Sequence, residues 1–529
     1  MADQVDRSHL RLAELVAGLS LGIDLGFGQP MEHVLRQCLI AMRLAEQIGL
    51  DDDERACVYY TALLINVGCH TDAHEQAKWF GDDIDLKAVK YDYALGSARG
   101  AVATMRKLGA GRPPLQRFRI GLEFAIAGHR DVAAMVDHHA QLARSLATQL
   151  ELPQAVVESL GAAYEQWDGK GWPGELSGDE VPVAARIAQL SEFSEVAFRV
   201  GGVAEVRKLM RTRGGTQFDP TLAKRLDDDA EIVLADLDAV VAWDAVVGAE
   251  PGLVMLLSGD QFDAALQAIA DFVDLKSPYT LGHASAVAEL ATAAGERLSL
   301  SEPDMRTLRR AALVHNFGRL GISNSIWDKR GPLGAGEWER VRMQPYLTER
   351  MLHQSPGLAA AVAVAVQHRE RLDGSGYPRA LQGSAIGRTA RVLAAAEAYQ
   401  AMREPRPQRD ALEPTAAAAE LQSDVKAGRL DAEACEAVLA AAGHRVPRRR
   451  EGLAGLTPRE IDVLRRVARG HSNKQIAEQL VISPKTVANH VDHIYSKIDA
   501  STRVSASLFA VRHGLLPESE LLPAAPAQR

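Results

Sequence analysis

The chain is 529 residues long, 47% hydrophobic and 24% charged, with a net charge of −9. That length suggests three or four domains, and the apolar share is ample for packed cores. Four scattered cysteines (Cys38, Cys57, Cys69, Cys435) exclude a disulfide scaffold, and the longest uncharged apolar run, Leu358 to Val366, is far too short to span a bilayer. Met1 to Leu10 shows no basic-then-apolar signal pattern, so a reducing, cytoplasmic setting with no membrane partner is expected. Aromatics at 5% among abundant Ala and Leu point to an all-α fold.

Taken from its start, the chain repeats itself. Residues 165–192 align without a gap to 370–397, an offset of 205 that pairs Glu165 with Glu370, Asp168 with Asp373, Gly171 with Gly376, Pro173 with Pro378 and Glu192 with Glu397. Upstream, an offset of 250 pairs His33 with His283, Asn66 with Asn316 and Gly68 with Gly318. The difference, 45 residues, is extra chain in the first copy between Asn66 and Asp168, with helices expected around Ile120 to Leu150. The body reads as two tandem helical domains, 25–245 and 260–445, joined by a connecting helix within Asp227 to Gln261. Arg445 to Arg450 reads as a basic hinge, 453–516 as a third domain and the Pro/Ala-rich 517–529 as a flexible tail. The body lacks the alternating strand and helix pattern of a receiver domain.

The second copy carries His283, the pair His315-Asn316 followed by Gly318 and Arg319, then Gln367-His368-Arg369, the loop Asp373-Gly-Ser-Gly-Tyr-Pro378, and Glu397. Over about 180 residues it resembles the HD-GYP branch of the HD phosphohydrolases, helical domains that hold two or three divalent metals. The resemblance implies hydrolysis of phosphodiesters, notably cyclic di-GMP, with His283, His315, His368 and Glu397 as metal ligands. It also implies an Asp at 316 whose two oxygens bridge the metals. Asn316 offers one neutral oxygen and cannot bridge as an anion. Further implied histidines fall at Gln344 and Arg369, and the implied Lys is Arg319, still able to hold phosphate as Arg369 is.

The first copy departs further, with Ile65-Asn66 at the His-Asp position and Ala163 and Tyr164 beside its loop. Only His33 and Glu192 keep ligand positions there. Cys69, His70, Asp72 and His74 match no metal-binding spacing and are expected to be solvated loop residues.

Leu456 to Leu516 carries three helix starts: Thr457 with Pro458 and Glu460, Ser472 with Gln475, and Ser483 with Pro484. Only Val481 and Ile482 separate the second helix from the Ser483 cap, which forces the sharp crossing of a helix-turn-helix. From Arg445 to Leu516 the net charge is +7, against −16 for the remainder, the footprint of nucleic-acid contact. These features resemble the four-helix LuxR/GerE-type DNA-binding domain. By position, Lys474, Ser483, Lys485, Thr486 and Lys497 are expected on phosphate, while Ala488, Asn489 and Asp492 correspond to the base-reading face. Asp492 departs from the Lys common there, and His493 is expected to be packed or solvated.

Two functions stay open. One is a DNA-binding transcriptional regulator whose doubled body senses a signal or dimerises; the other is a metal-dependent phosphodiesterase fused to a DNA-binding module. The residues at 316, 344 and 369 favour the first, with no catalytic residue and no cofactor; manganese, iron or magnesium is expected only in the second. Expected partners are double-stranded DNA, a second copy through Val504, Ala506, Leu508, Phe509 and Val511 of the last helix, and a nucleotide as candidate ligand of Arg319 and Arg369.

Overall fold

The computed structural model describes residues 10–88, 107–109, 113–124, 129–252, 255–445, 454, 456–498, 500, 502–513 and 515–516. It divides into two compact units, Met1–His444 and Arg445–Arg529. The stretch 446–450 and the tail 517–529, expected as hinge and flexible segment, lie outside the described residues. Both units are helical. Among the described residues the only sheet pairs Leu10–Arg11 with Leu256–Leu257, and no helix is long and apolar enough to cross a membrane.

The first unit opens with the helix Leu12–Gly26, ahead of residue 25, where the sequence places the boundary. It is apolar nearly all round, which is the signature of a helix buried on every side. Near its end Asp24 reaches forward, and its Oδ1 accepts the backbone N–H of Val34 at 3.0 Å. The helix Gly259–Asp274 repeats this construction 250 residues later, with Asp274 Oδ2 accepting from Ala284 N at 2.7 Å. Each aspartate caps a helix that has no side-chain cap of its own: His33–Gln47 follows Glu32 and His283–Arg297 follows Gly282, both at positive φ.

Burial raises the Asp24 carboxyl to about 7 and Asp274 to about 8. A raised carboxyl contributes stability that is full below the unfolded value of 3.8 and is lost as pH climbs through the folded value. Asp274→Asn keeps an oxygen for the Ala284 N–H and removes the titration. Thermal melts of this variant should lose less stability between pH 5 and pH 8 than those of the parent chain; an unchanged slope would assign the loss elsewhere.

The glycine loops also repeat. Glu165 accepts the backbone N–H groups of Glu175 at 2.9 Å and Gly174 at 3.1 Å, and Glu370 accepts those of Arg379 at 2.8 Å and Leu381 at 2.9 Å. A Cβ on Gly171 would stand 2.3 Å from Gln166 N, and one on Gly376 2.4 Å from Arg371 N, so each loop folds back onto its own backbone where no side chain fits. The join between the halves is not one helix. Pro220–Val233 ends, Ala242–Gly248 follows after a turn with Asp236 at φ 52°, and Leu256–Leu257 returns as a strand.

The second unit packs Pro458–Ala468, Asn473–Leu480, Pro484–Lys497 and Arg503–Arg512 around Val463, Leu464, Ile476, Val487, Val491 and Ile494. Each such buried aliphatic contributes about 1.5–3 kcal/mol. Thr457 with Glu460 and Ser472 with Gln475 form reciprocal capping boxes, and Ser483 caps the third helix through Thr486 N at 3.1 Å. Val481, left-handed at φ 55°, ends the second helix, and Ile482 N bonds back to Ala477 O at 3.0 Å. That turn sets the crossing of the second and third helices.

Candidate functional site

In the second half four elements converge. His283 begins its helix, and His315 ends the helix Glu302–Val314 just before the tight turn Phe317–Gly321. His368 follows the helix Ala359–Ala365, and Glu397 lies on Arg388–Arg403. The turn requires Gly318, because a Cβ there would stand 1.9 Å from the backbone oxygen of Gln344. The His315 ring lies 5.5 Å from His283 and 5.0 Å from His368, centroid to centroid.

The Nδ1 atoms of His315 and His368 donate to the carbonyls of Ala312 at 2.6 Å and Ala365 at 2.8 Å. This fixes the proton on Nδ1 and turns a bare Nε2 lone pair inward, where neither has a hydrogen-bond partner. Burial lowers His315 to about 3 and His368 well below its ordinary value, so both imidazoles are neutral. His283 Nδ1 bonds to Glu404 at 2.7 Å.

The other positions expected around the metals hold different groups. Burial works against the Glu397 charge, but Arg369, with Nη2 2.7 Å from Oε1, holds its carboxyl down at about 2. Asn316 and Gln344 bond each other, the Gln344 amide donating to Asn316 Oδ1 at 2.9 Å. Two bare imidazole nitrogens and the free Glu397 Oε2 are sound metal donors. Nothing anionic bridges beside them, however, and a guanidinium already neutralises the one carboxylate. The residues present do not fit a two-metal centre, and among the described residues no three His, Cys, Asp or Glu are grouped to hold an ion.

Beside this cluster opens a cavity of about 220 Å³, lined by Asn316, Arg319, Trp327, Arg369, Glu397 and Arg406 among others. Arg319 stacks on Trp327 at 4.0 Å, and burial lowers its pKa only to about 10, so it stays cationic. Arg406 is tied to Glu404 at 2.9 Å and to Tyr279 O at 2.6 Å. Asp328, on the wall, bonds Ser277 at 2.9 Å and His74 of the first half at 2.8 Å. Trp327 and Arg406 carry no pattern that marks them in the sequence; only the fold brings them to Arg319.

The first half has closed. Asn66 donates to Glu192 at 2.8 Å beside a cavity of about 10 Å³, room for one water, and His33 pairs with Glu195. Cys69, His70, Asp72 and His74 are not solvated loop residues. Their turn is wedged between the helix His129–Gln149 and the second half. His70 bonds Val67 O at 2.7 Å and Phe272 O at 2.8 Å, and burial lowers it to about 4. Asp72 pairs with His139, a residue the reading of the first copy passed over. The signal was present: His139 stands 205 positions before Gln344.

In the second unit Lys474, Ser483, Lys485, Thr486, Asn489 and Asp492 are exposed and Ala488 is half-buried. Lys497, exposed like the others, also has a partner inside the module. Its ammonium sits 2.7 and 2.9 Å from the two oxygens of buried Glu460, a clamp between the first and third helices rather than a free cation. On the last helix Ala506 is buried and Phe509 packs on the core, so only Val504 and Leu508, 69% and 57% exposed, stand fully outward.

A family model described as an HD domain matches residues 129–222 and 267–434, and one for bacterial regulatory proteins of the luxR family matches 454–510. The 3'3'-cGAMP-specific phosphodiesterase 3 of Vibrio cholerae is 29% identical over 413 residues, 77% of this chain and 90% of that protein. The 3'3'-cGAMP-specific phosphodiesterase 1 of the same organism is 33% identical over 171 residues, 32% of this chain and 40% of that protein. A crystal structure of a cyclic GMP-AMP-specific phosphodiesterase from V. cholerae superposes with a TM-score of 0.57 at 26% identity, over 83% of this chain and 99% of that one. The first unit is thus an HD-type helical body. The chain as a whole joins an HD domain to a C-terminal regulatory module of the luxR family.

Proposed function

We propose that this protein is a DNA-binding transcriptional regulator whose body, two tandem HD-GYP-like halves altered at their metal positions, senses a ligand or pairs the chain with a second copy. The observation that carries this reading is the substitution of neutral and cationic groups at the centre of the second half: Asn316 bonded to Gln344, and Arg369 bonded to Glu397. Similarity over 90% of a phosphodiesterase and the retained His283, His315 and His368 favour the second reading, a metal-dependent phosphodiesterase fused to a DNA-binding module. Under the first reading the cavity beside Arg319 and Arg369 takes an anionic ligand, with a nucleotide as the candidate, and Val504 and Leu508 supply a pairing stripe.

Purified full-length protein supplied with manganese or iron and incubated with 3'3'-cGAMP or cyclic di-GMP should give no turnover above the metal-only control, while retarding double-stranded DNA at low salt. Clear hydrolysis abolished by His315→Ala would overturn the regulator reading of the body.

A further inference from the structure

The first half contains a nucleophile that neither reading uses. Cys69 sits in the turn Val67–His70, its Sγ 2.7 Å from the Tyr164 hydroxyl. The thiol lies close enough to His139 to bear on the charge of its ring, and His139 Nε2 forms an ion pair with Asp72. Thiol, imidazole and carboxylate therefore stand in the order nucleophile, base and orienting group. Backbone contact enforces the arrangement: a Cβ on Gly68 would lie 2.2 Å from His139 O, so the turn and the helix His129–Gln149 touch at this point.

The surroundings suit a thiolate facing an imidazolium. Burial disfavours the charged ring, yet Cys69 and Asp72 together raise His139 to about 9. The other ionisable groups bearing on the cluster are Tyr164, whose pKa burial pushes well up, and Glu192 behind it. The three remaining cysteines lack such a partner. Cys38 faces a carbonyl, Cys57 faces the Thr61 and Ser159 hydroxyls, and burial raises both as it raises Cys435 to about 12. Cys69 keeps 6% exposure beside the half-buried Tyr164 ring, which suits a small oxidant.

We propose that Cys69 is a reactive thiolate, held by His139 and Asp72, that hydroperoxides oxidise to a sulfenic acid. The sulfur attacks one peroxide oxygen, so an S–O bond forms and the O–O bond breaks. Two electrons pass from sulfur to the departing oxygen, which takes the His139 proton and leaves as water or an alcohol. Asp72 is the positioning residue, holding the imidazolium toward the sulfur.

The test treats folded full-length protein with a small excess of hydrogen peroxide in the presence of dimedone, and reads each cysteine by peptide mass spectrometry. Cys69 should label about tenfold or more faster than Cys38, Cys57 and Cys435 at pH 7, with a rate that does not climb through the ordinary thiol range, and urea should abolish the preference. His139→Gln should slow Cys69 about tenfold at pH 6.5 with helical content retained. If Cys69 labels no faster than Cys57, or its rate climbs through the ordinary thiol range, the thiolate is refuted. The same follows if folded His139→Gln labels at the parent rate. Should that variant not fold, the parent's rate order and pH profile decide alone.

Discussion

Arg369→Ala is expected to lower the stability of the body by about 3 kcal/mol, because it removes the half-buried partner of an ion pair and strands the fully buried one. Glu397 is 1% exposed and has two neutral imidazoles for company once the guanidinium is gone. The sign of the pH dependence makes the cause identifiable. In the parent chain Glu397 titrates at about 2 against an ordinary 4.5, so its contribution is full above 4.5 and fades as pH falls through 2. In the variant burial is no longer opposed by Arg369, the folded value rises above 4.5, and the same group now costs stability as pH rises. Urea melts at pH 5 and pH 7 should therefore show a larger deficit at pH 7. A deficit below about 1 kcal/mol that ignores pH would mean that the pair is not the closure of the site inferred from its 2.7 Å contact.

On the DNA side the prediction separates two exposed residues one turn apart on Pro484–Lys497. If the module docks as proposed, Lys485→Ala should weaken binding to every duplex alike and reduce the magnitude of the salt slope by about one. Asn489→Ala should leave that slope alone and relax preference at a single base pair, by about 1–3 kcal/mol. Binding isotherms over a range of potassium chloride, against the preferred site and single-base variants, read both quantities. Equal loss of specificity in the two variants would remove the distinction between phosphate and base contact. Lys497, also expected on phosphate, has a second partner within the module. Its clamp on Glu460 ties it to folding, so Lys497→Ala is no probe of phosphate contact.

Much of this was legible because some patterns depend on spacing alone. The helix caps of the last module appear where Thr457, Ser472 and Ser483 put them, since a hydroxyl before a helical run has one evident use. The neutralised centre of the second half was legible as the loss of acid at 316 and of imidazole at 344 and 369. Its geometry was not, because an amide pair and an ion pair are contacts between residues 28 positions apart in each case. The first half misled for a related reason. Polar residues from Cys69 to His74 look solvated when read locally, and only the packing of a distant helix and of the second half buries them. His139 was hidden by the change of offset across the insertion, and Lys497 by a carboxylate 37 residues away.

The two glycine loops have a consequence for any relative judged by its motifs. Glu165 and Glu370 hold them through backbone amides, and Gly171 and Gly376 admit no substituent, so the loops are architectural keystones independent of whatever chemistry sits nearby. Folding alone requires them, whatever acids and imidazoles stand nearby. The easiest part of such a domain to spot by eye is thus a poor witness to turnover, and candidates are better sorted by the residues that correspond to Asn316, Gln344 and Arg369.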